Sequence, residues 1–378
     1  LNPEKGDAIG VGHYTYQLIR HLLKNDTENE YVIFFDFRVR EKDVKKFTKP
    51  NVKIKFYPFS DYKKYMPGVY NEILGAATLQ KEKLDVLHTT SPMSRIPQSY
   101  TGKTIVTFHD MGMFAVEKYY PALRRTRAKV LSRMMAKKAD RIIAVSEAIK
   151  KEIEQYLEGT NGKTDIVRSG IDARFFQDPE DGKKALEKFG IKKKYILFLG
   201  TLEHSKNIGR LLEAFAKFKQ KETQGGSDNF EYQLVLAGKR GHDSEFFKKK
   251  AQDLQISKDV VFTGYVVGDE LVPLFKGAEF FVMPSLYEGF GMTALEAFAT
   301  KTPSILGKIP TLEEIAGDAA YFVDPKSTEE IAEAIGKFAH DENLRESYRQ
   351  KGIERVKGFD WDKTAKETLE IYRQVAGK

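Results

Sequence analysis

The sequence predicts an α/β protein of two doubly wound halves, each a parallel sheet covered by helices. Short apolar runs alternate with amphipathic stretches along nearly all of the 378 residues. That is the pattern of strands buried on both faces between crossover helices. The apolar runs fall into two series of six. The length also exceeds what one hydrophobic core ordinarily holds.

The first series of expected strands is 31–35, 52–57, 86–90, 104–109, 141–146 and 164–169. The second is 195–200, 232–238, 260–265, 279–285, 303–308 and 319–324. Helical periodicity fills 13–24, 210–220 and 328–339; in the last, Ile331, Ala334, Ile335 and Phe338 recur every 3–4 residues on one face. The stretch 171–194 holds DPEDG and a KKK cluster and reads as an exposed connection. The expected domains are therefore 1–175 and 190–358, with a terminal helix, 359–378, crossing back to the first half. The two sheets are expected to face each other across a cleft, where ligands bind beyond the carboxyl ends of the strands. One irregularity stands at the start: a glycine-bearing loop and a helix come with no strand ahead of them. Either that strand lies outside this sequence or another segment fills its place.

Composition narrows the function classes. The 26 Phe, 18 Tyr and 41% hydrophobic content argue against a disordered chain. The absence of cysteine removes disulfides, thiolate metal ligands and Cys nucleophiles together, and fits a reducing compartment. No apolar run approaches the roughly 18–20 residues that span a bilayer, and LNPEKGDAIG lacks a signal-peptide pattern, so a cytoplasmic enzyme is expected. The net charge of +8 suits anionic partners. Nucleic acid is not expected among them, because no aromatic RNA-binding motif or recognition-helix signature is present. A dinucleotide-dependent dehydrogenase is disfavoured, since no G-x-G-x-x-G follows a strand with an acidic residue about 20 positions on.

The most informative segment is PSLYEGFGMTALEAF, 284–298. A strand ends, a loop carries Glu288, and a helix begins near Gly291 with Glu296 in its second turn. Gly289 and Gly291 let the backbone approach a ligand closely. The N–H groups at the start of a helix favour an anion. The two carboxylates suit polyol hydroxyls, which donate to them in charge-assisted hydrogen bonds. Lys206 sits between the strand YILFLG and the next helix, where an ammonium neutralises a diphosphate as a point charge. His109 ends the strand TIVTFH, and His88 stands near the end of another. Residues 118–141 carry nine basic residues, with Asp140 near their end, and leave Leu123, Val130 and Leu131 on the apolar pattern. That combination suits peripheral contact with an anionic membrane or a lipid-phosphate acceptor. No metal-binding motif is evident; the one Asp-x-Asp, Asp360 to Asp362, opens the last helix, where Asp360 reads as an N-cap.

EGFGMTALE resembles the Glu-x7-Glu motif of retaining family-4 glycosyltransferases, which have the GT-B fold. FLGTLEHSKNIGRLLEAF, FTGYVVGDELVPLFKGAEFFVMPS and the FDWDKTAKETLEIYR tail are similar to that family in order and spacing, and the mannosyltransferase-like branch is nearest. The resemblance implies transfer of a hexose from a nucleotide diphosphate sugar to a hydroxyl of a glycan or lipid-linked acceptor. It implies retention of configuration, no obligatory metal, no cofactor beyond the donor, and GDP-mannose in preference to UDP-glucose. By the same resemblance Glu296 holds the ribose, and Glu288 contacts the transferred sugar with Gly289 and the N–H groups of Phe290, Gly291 and Met292 nearby. Lys206 stabilises the departing nucleotide, His109 contacts the sugar, and His88 lines the acceptor side. Ala8-Ile-Gly-Val-Gly12 resembles the family's glycine loop, with Gly10 and Gly12 presenting backbone amides to the donor phosphates or the acceptor. The chain departs from the family near Lys206: the usual Arg is replaced by Thr201 and His204-Ser205, leaving Lys239 or Arg240 to stand in. The alternative enzyme on this fold is a nucleotide-sugar 2-epimerase, against which the EGFG-to-Glu296 pattern argues.

Overall fold

The computed structural model describes residues 10–36, 44–57, 71–178, 182–224, 230–239, 241, 243–266 and 268–378. It divides into two units, Leu1–Gly170 with Phe359–Lys378, and Ile171–Gly358.

The first unit opens with helix α1 (Val11–Asn25), followed by β1 (Tyr31–Asp36) and β2 (Val52–Tyr57). Helix α2 (Ala76–Lys81), β3 (Val86–Thr89), β4 (Lys103–Phe108), α3 (Ala122–Lys138), β5 (Arg141–Ala144), α4 (Glu147–Tyr156) and β6 (Thr164–Ile166) complete its run. β1 and β2 pair in parallel as a two-stranded sheet, while β3-β4-β5-β6 form a separate four-stranded parallel sheet. Ile105, Val106, Phe108, Ile142 and Ile143 are fully buried, as both faces of a covered parallel sheet require.

The second unit holds α5 (Gly182–Lys188), β7 (Lys194–Leu199), α6 (Ile208–Glu222), β8 (Tyr232–Ala237), α7 (Ser244–Asp253), β9 (Val260–Gly264) and α8 (Leu271–Lys276). It continues with β10 (Phe280–Met283), α9 (Met292–Ala299), β11 (Ser304–Gly307), α10 (Pro310–Ala316), β12 (Tyr321–Val323), α11 (Thr328–His340) and α12 (Glu342–Val356). Its six parallel strands run β12-β11-β10-β7-β8-β9. Strand order therefore reverses between β7 and β10, the switch point beyond which doubly wound sheets bind ligands. The periodic face of α11 is buried in a core with Phe215 and Phe218 of α6 and Ile196, Phe198, Leu234, Leu236 and Phe280 of the sheet. Each such side chain contributes about 1.5–3 kcal/mol on burial.

The last helix, α13 (Trp361–Ala376), belongs to the first unit. Asp360 caps it, accepting from the Asp362 N–H at 2.9 Å. Asp362 in turn accepts from His21 Nδ1 at 2.6 Å, Lys24 Nζ at 2.7 Å and Asn25 Nδ2 at 2.7 Å, fastening α13 to α1.

All twelve expected strands are present, most of them shorter at the carboxyl end than the apolar runs. Beyond Ala144 the run 141–146 turns into the cap of α4, where Ser146 Oγ accepts from the Ile149 N–H at 3.2 Å. Most described residues of 171–194 are exposed, as expected of a connection, but the segment is locally structured and anchored. Residues 173–176 form a turn of 3-10 helix, and Phe175 within it is fully buried, edge-on to Phe275 at 6.2 Å. Ile171 and Ile191 are buried along with it and anchor the segment's two ends.

Candidate functional site

The second unit gathers its chemistry at the carboxyl ends of β7, β8 and β10. After β7 the chain makes a tight passage. Gly200 and Gly238 end neighbouring strands, and a Cβ on Gly238, at φ 142°, would lie 1.9 Å from the Gly200 carbonyl oxygen. Only glycine permits that approach. The Leu202 N–H then donates to the Lys239 carbonyl at 3.1 Å, tying the loop after β7 to the loop after β8.

Residues 204–206 form a turn of 3-10 helix, and Asn207 takes the left-handed conformation (φ 60°) ahead of α6. Its side-chain amide supports that conformation by donating to the Pro284 carbonyl at 2.9 Å and to the Pro325 carbonyl. The Leu286 N–H donates to the Ser205 carbonyl at 2.9 Å. The loops after β7 and β10 are thus bonded to each other, and Lys206 is set against Glu288. Lys206 Nζ donates to Glu288 Oε1 at 2.7 Å, and fully buried Ser285 donates its hydroxyl to the same oxygen at 2.8 Å.

Gly291, at φ 95°, caps α9, and a Cβ there would meet Leu312 at 2.7 Å. The Ala294 N–H already donates to the Gly291 carbonyl at 3.0 Å, so the orphan donors of the first turn are those of Met292 and Thr293. Phe290 is buried and Gly289 precedes it in the loop. Glu296 is half-buried in the next turn. Burial pushes its carboxyl up to about 8, against the lowering pull of the Arg174 guanidinium and with a smaller push from Asp172. The arrangement offers a cation and helix N–H groups for a diphosphate beside two carboxyl groups for hydroxyls. Lys239 is exposed in the adjoining loop, and Arg240 lies outside the described residues.

The remaining expected residues lie in the first unit. Gly10 (φ 59°) caps α1 and Gly12 stands in its first turn. His109 follows β4 and donates from Nε2 to the Thr90 carbonyl at 2.8 Å, with the Tyr14 ring edge-on at 4.5 Å. The Thr15 and Thr90 hydroxyls are 2.7 Å apart, so the first turns of α1 meet the ends of β3 and β4. Burial lowers the His109 imidazole below its ordinary value, offset in part by the Thr90 bond and the Asp110 charge. His88 requires a correction. Its Nδ1 bonds the Tyr372 hydroxyl at 2.7 Å and its Nε2 the Thr107 hydroxyl at 2.8 Å. Burial, aided by His109, brings it down to about 3. With both nitrogens spent inside the protein, His88 ties α13 to the sheet and has none left for an acceptor.

Sequence reasoning missed Ser285, Asn207, Tyr14 and the pair Asp172 and Arg174. The strand-end serine three positions before Glu288 was a usable signal. Nothing in sequence links Arg174 to Glu296.

Residues 9–175 match the family described as Glycosyltransferase Family 4, and residues 181–355 match Glycosyl transferases group 1. The O-antigen chain mannosyltransferase B of Escherichia coli is 26% identical over 276 residues, 72% of this chain and 70% of that protein. The alpha-monoglucosyldiacylglycerol synthase of Streptococcus pneumoniae is 27% identical over 338 residues, 83% of this chain and 73% of that protein. Among solved structures, sucrose-phosphate synthase from Thermosynechococcus elongatus superposes with a TM-score of 0.75 at 20% identity, covering 97% of this chain and 94% of that one. With both units matched in order and the GT-B fold shared, the chain belongs to the group 1, family 4 glycosyltransferases, enzymes that transfer a sugar from a nucleotide sugar.

Proposed function

We propose that this enzyme moves mannose from GDP-mannose to a hydroxyl of a glycan or lipid-linked acceptor, with retention of configuration, in polysaccharide assembly. The observation that carries the reading is the 2.7 Å contact of Lys206 with Glu288 at the sheet's switch point, one loop from the start of α9. The Lys206 ammonium and the first-turn N–H groups of α9 take the diphosphate and stabilise the charge that develops on the leaving nucleotide. Glu288 accepts from hydroxyls of the transferred sugar, and Glu296 engages the ribose. The resemblance also assigns Gly10, Gly12 and His109 to the donor phosphates and the sugar, and Lys239 or Arg240 supplements Lys206. The acceptor attacks on the face from which the phosphate departs.

The similarity to an O-antigen chain mannosyltransferase supports mannose. The similarity to a glucosyldiacylglycerol synthase keeps UDP-glucose as the rival donor and a lipid as an acceptor class. Helix α3 bears on the second point. Leu123 is 84% exposed and Val130 48% exposed, with Arg124, Arg127 and Arg133 also exposed. Lys137 is exposed as well, whereas Arg125 and Lys129 pair with Glu117, and Lys138 donates to the carbonyls of Gln98 and Tyr100. We assign the exposed part of α3 to peripheral contact with an anionic membrane on the cytoplasmic side. Among the described residues no helix is long and apolar enough to cross a membrane.

Proton NMR of the product formed from GDP-mannose and a mannose-terminated glycan tests the reaction. An α-linked mannoside with release of GDP is expected. Conversion of the donor at C2 without an acceptor would point to the epimerase instead, and consumption of UDP-glucose alone would reassign the sugar.

A further inference from the structure

The 3-10 turn of residues 173–176 packs against α9, whose second turn carries Glu296. Phe175 anchors the turn, fully buried against the Phe275 ring. Asp172 caps it, accepting from the Arg174 N–H at 3.1 Å. The cap also holds the Arg174 side chain. Its Nε lies 3.7 Å from the second Asp172 oxygen, and the guanidinium carbon lies 5.2 Å from the centre of the Phe175 ring. The guanidinium is thus held by an anion and an aromatic face together, on a turn that cannot leave α9 without exposing Phe175. A planar, permanently charged group suits that seat; a lysine would keep the charge and lose the stacking.

β11, α10 and α12 also pack on α9. β11 carries no charged residue, and α10 carries Glu313 and Glu314. On α12, Arg355 donates to the Glu314 and Ile315 carbonyls, and Arg349 donates to the Lys301 carbonyl. Among the described residues, the charges that act on Glu296 are Arg174, which favours its ionised form, and Asp172, which opposes it. We propose that Arg174, set by Asp172 and Phe175, is a positioning residue for the nucleotide: its guanidinium is the counter-charge of the Glu296 carboxylate when ribose hydroxyls donate to that carboxylate. Asp172 weakens this counter-charge, so burial keeps Glu296 largely protonated without ligand. When the hydroxyls arrive, the Glu296 proton passes to solvent and Arg174 favours its release. This role rests on the reading of Glu296 as the carboxyl that holds the ribose.

Calorimetric titration with GDP, or with UDP if the wild type binds it more tightly, tests the role between about pH 6 and 9. Arg174→Gln is expected to move the pH at which affinity levels off upward by about one pH unit. Binding then weakens about tenfold near neutrality and recovers at the alkaline end. Asp172→Asn keeps the cap, because an amide oxygen still accepts from the Arg174 N–H, and is expected to move that pH downward. Damage to the fold cannot give shifts of opposite sign, and Arg174→Lys should recover part of the loss. In a Glu296→Gln background, Arg174→Gln should change affinity by less than about twofold. Unchanged profiles in Arg174→Gln and Asp172→Asn, with Glu296→Gln still weakening the nucleotide, would overturn the role of Arg174 and leave the ribose reading intact. A full loss from Arg174→Gln in the Glu296→Gln background would also overturn it, by placing Arg174 on the ligand itself or in the fold. If Glu296→Gln alone leaves affinity unchanged, the ribose reading fails, and this role with it.

Discussion

Lys206 Nζ lies 2.7 Å from Glu288 Oε1, and this ion pair joins the loop after β7 to the loop after β10 where the strand order reverses. Without donor, Glu288 is the counter-ion of Lys206. A diphosphate arriving there competes for the same ammonium, and Ser285 keeps Glu288 in place through its own hydrogen bond. Removing the charge by Lys206→Ala should lower turnover by about 10²-fold, the scale of other lost donors to developing negative charge. The pair is partly exposed, so melting should change little. Steady-state turnover at saturating donor, measured beside thermal melts, checks this; wild-type turnover would remove Lys206 from the mechanism.

Glu296 gives a pH signature. Its carboxyl is raised to about 8 in the folded protein by burial, so near neutrality it is largely protonated. Ribose hydroxyls that donate to its carboxylate favour the ionised form, so donor binding should release a proton and tighten as pH rises from about 6 towards 8. The sign for folding is opposite. A carboxyl raised above its unfolded value contributes stability at low pH, and that contribution declines from the unfolded value up to about 8. Glu296→Gln should flatten both trends. Calorimetric titrations in buffers of different ionisation enthalpy measure the proton directly, and no proton release in the wild type would separate Glu296 from the ribose.

Gly238 tests the backbone beneath the site. Its φ of 142° and the 1.9 Å approach of a notional Cβ to the Gly200 carbonyl leave no room for a side chain. Gly238→Ala should destabilise the second unit by about 2–5 kcal/mol, combining backbone strain with overpacking at a strand end. Urea denaturation followed by tryptophan-independent circular dichroism suffices, and a cost below about 0.5 kcal/mol would show that the two strand ends separate easily.

The exposed basic and apolar residues of α3 predict sedimentation with vesicles containing phosphatidylglycerol at low salt, lost when salt is raised. Replacing Arg124, Arg127 and Arg133 with Gln should abolish it without altering turnover on a soluble acceptor. Failure of the wild type to sediment would confine α3 to a solvated surface.

Much of the fold was legible because its signals are local. Each covered parallel strand is a short apolar run, and Ile331 to Phe338 announce a helix by spacing alone. The division of the first unit into two sheets was not legible, since pairing of β1 with β2 but not with β3 is a long-range fact. The site splits the same way. The loop after β10 declares itself through its glycines and glutamates. His88 and His109 look alike in sequence, both near strand ends, and differ only through distant partners: Tyr372 and Thr107 take both nitrogens of one, while the Thr90 carbonyl takes Nε2 of the other. Arg174 was invisible because its influence on Glu296 arises from a turn pinned by buried Phe175, within a stretch that sequence presents only as a connection.

The central claim is that Lys206, Glu288, the start of α9 and Glu296 form one sugar-diphosphate site. Thermal melting of the wild type and of Glu296→Ala with GDP-mannose, UDP-glucose and ADP-glucose tests it most directly, because a ligand that binds only the folded state raises its melting temperature. The account predicts a rise for the wild type, greatest with GDP-mannose, and most of that rise lost in Glu296→Ala. No rise with any of the three, or an undiminished rise in the variant, would contradict it.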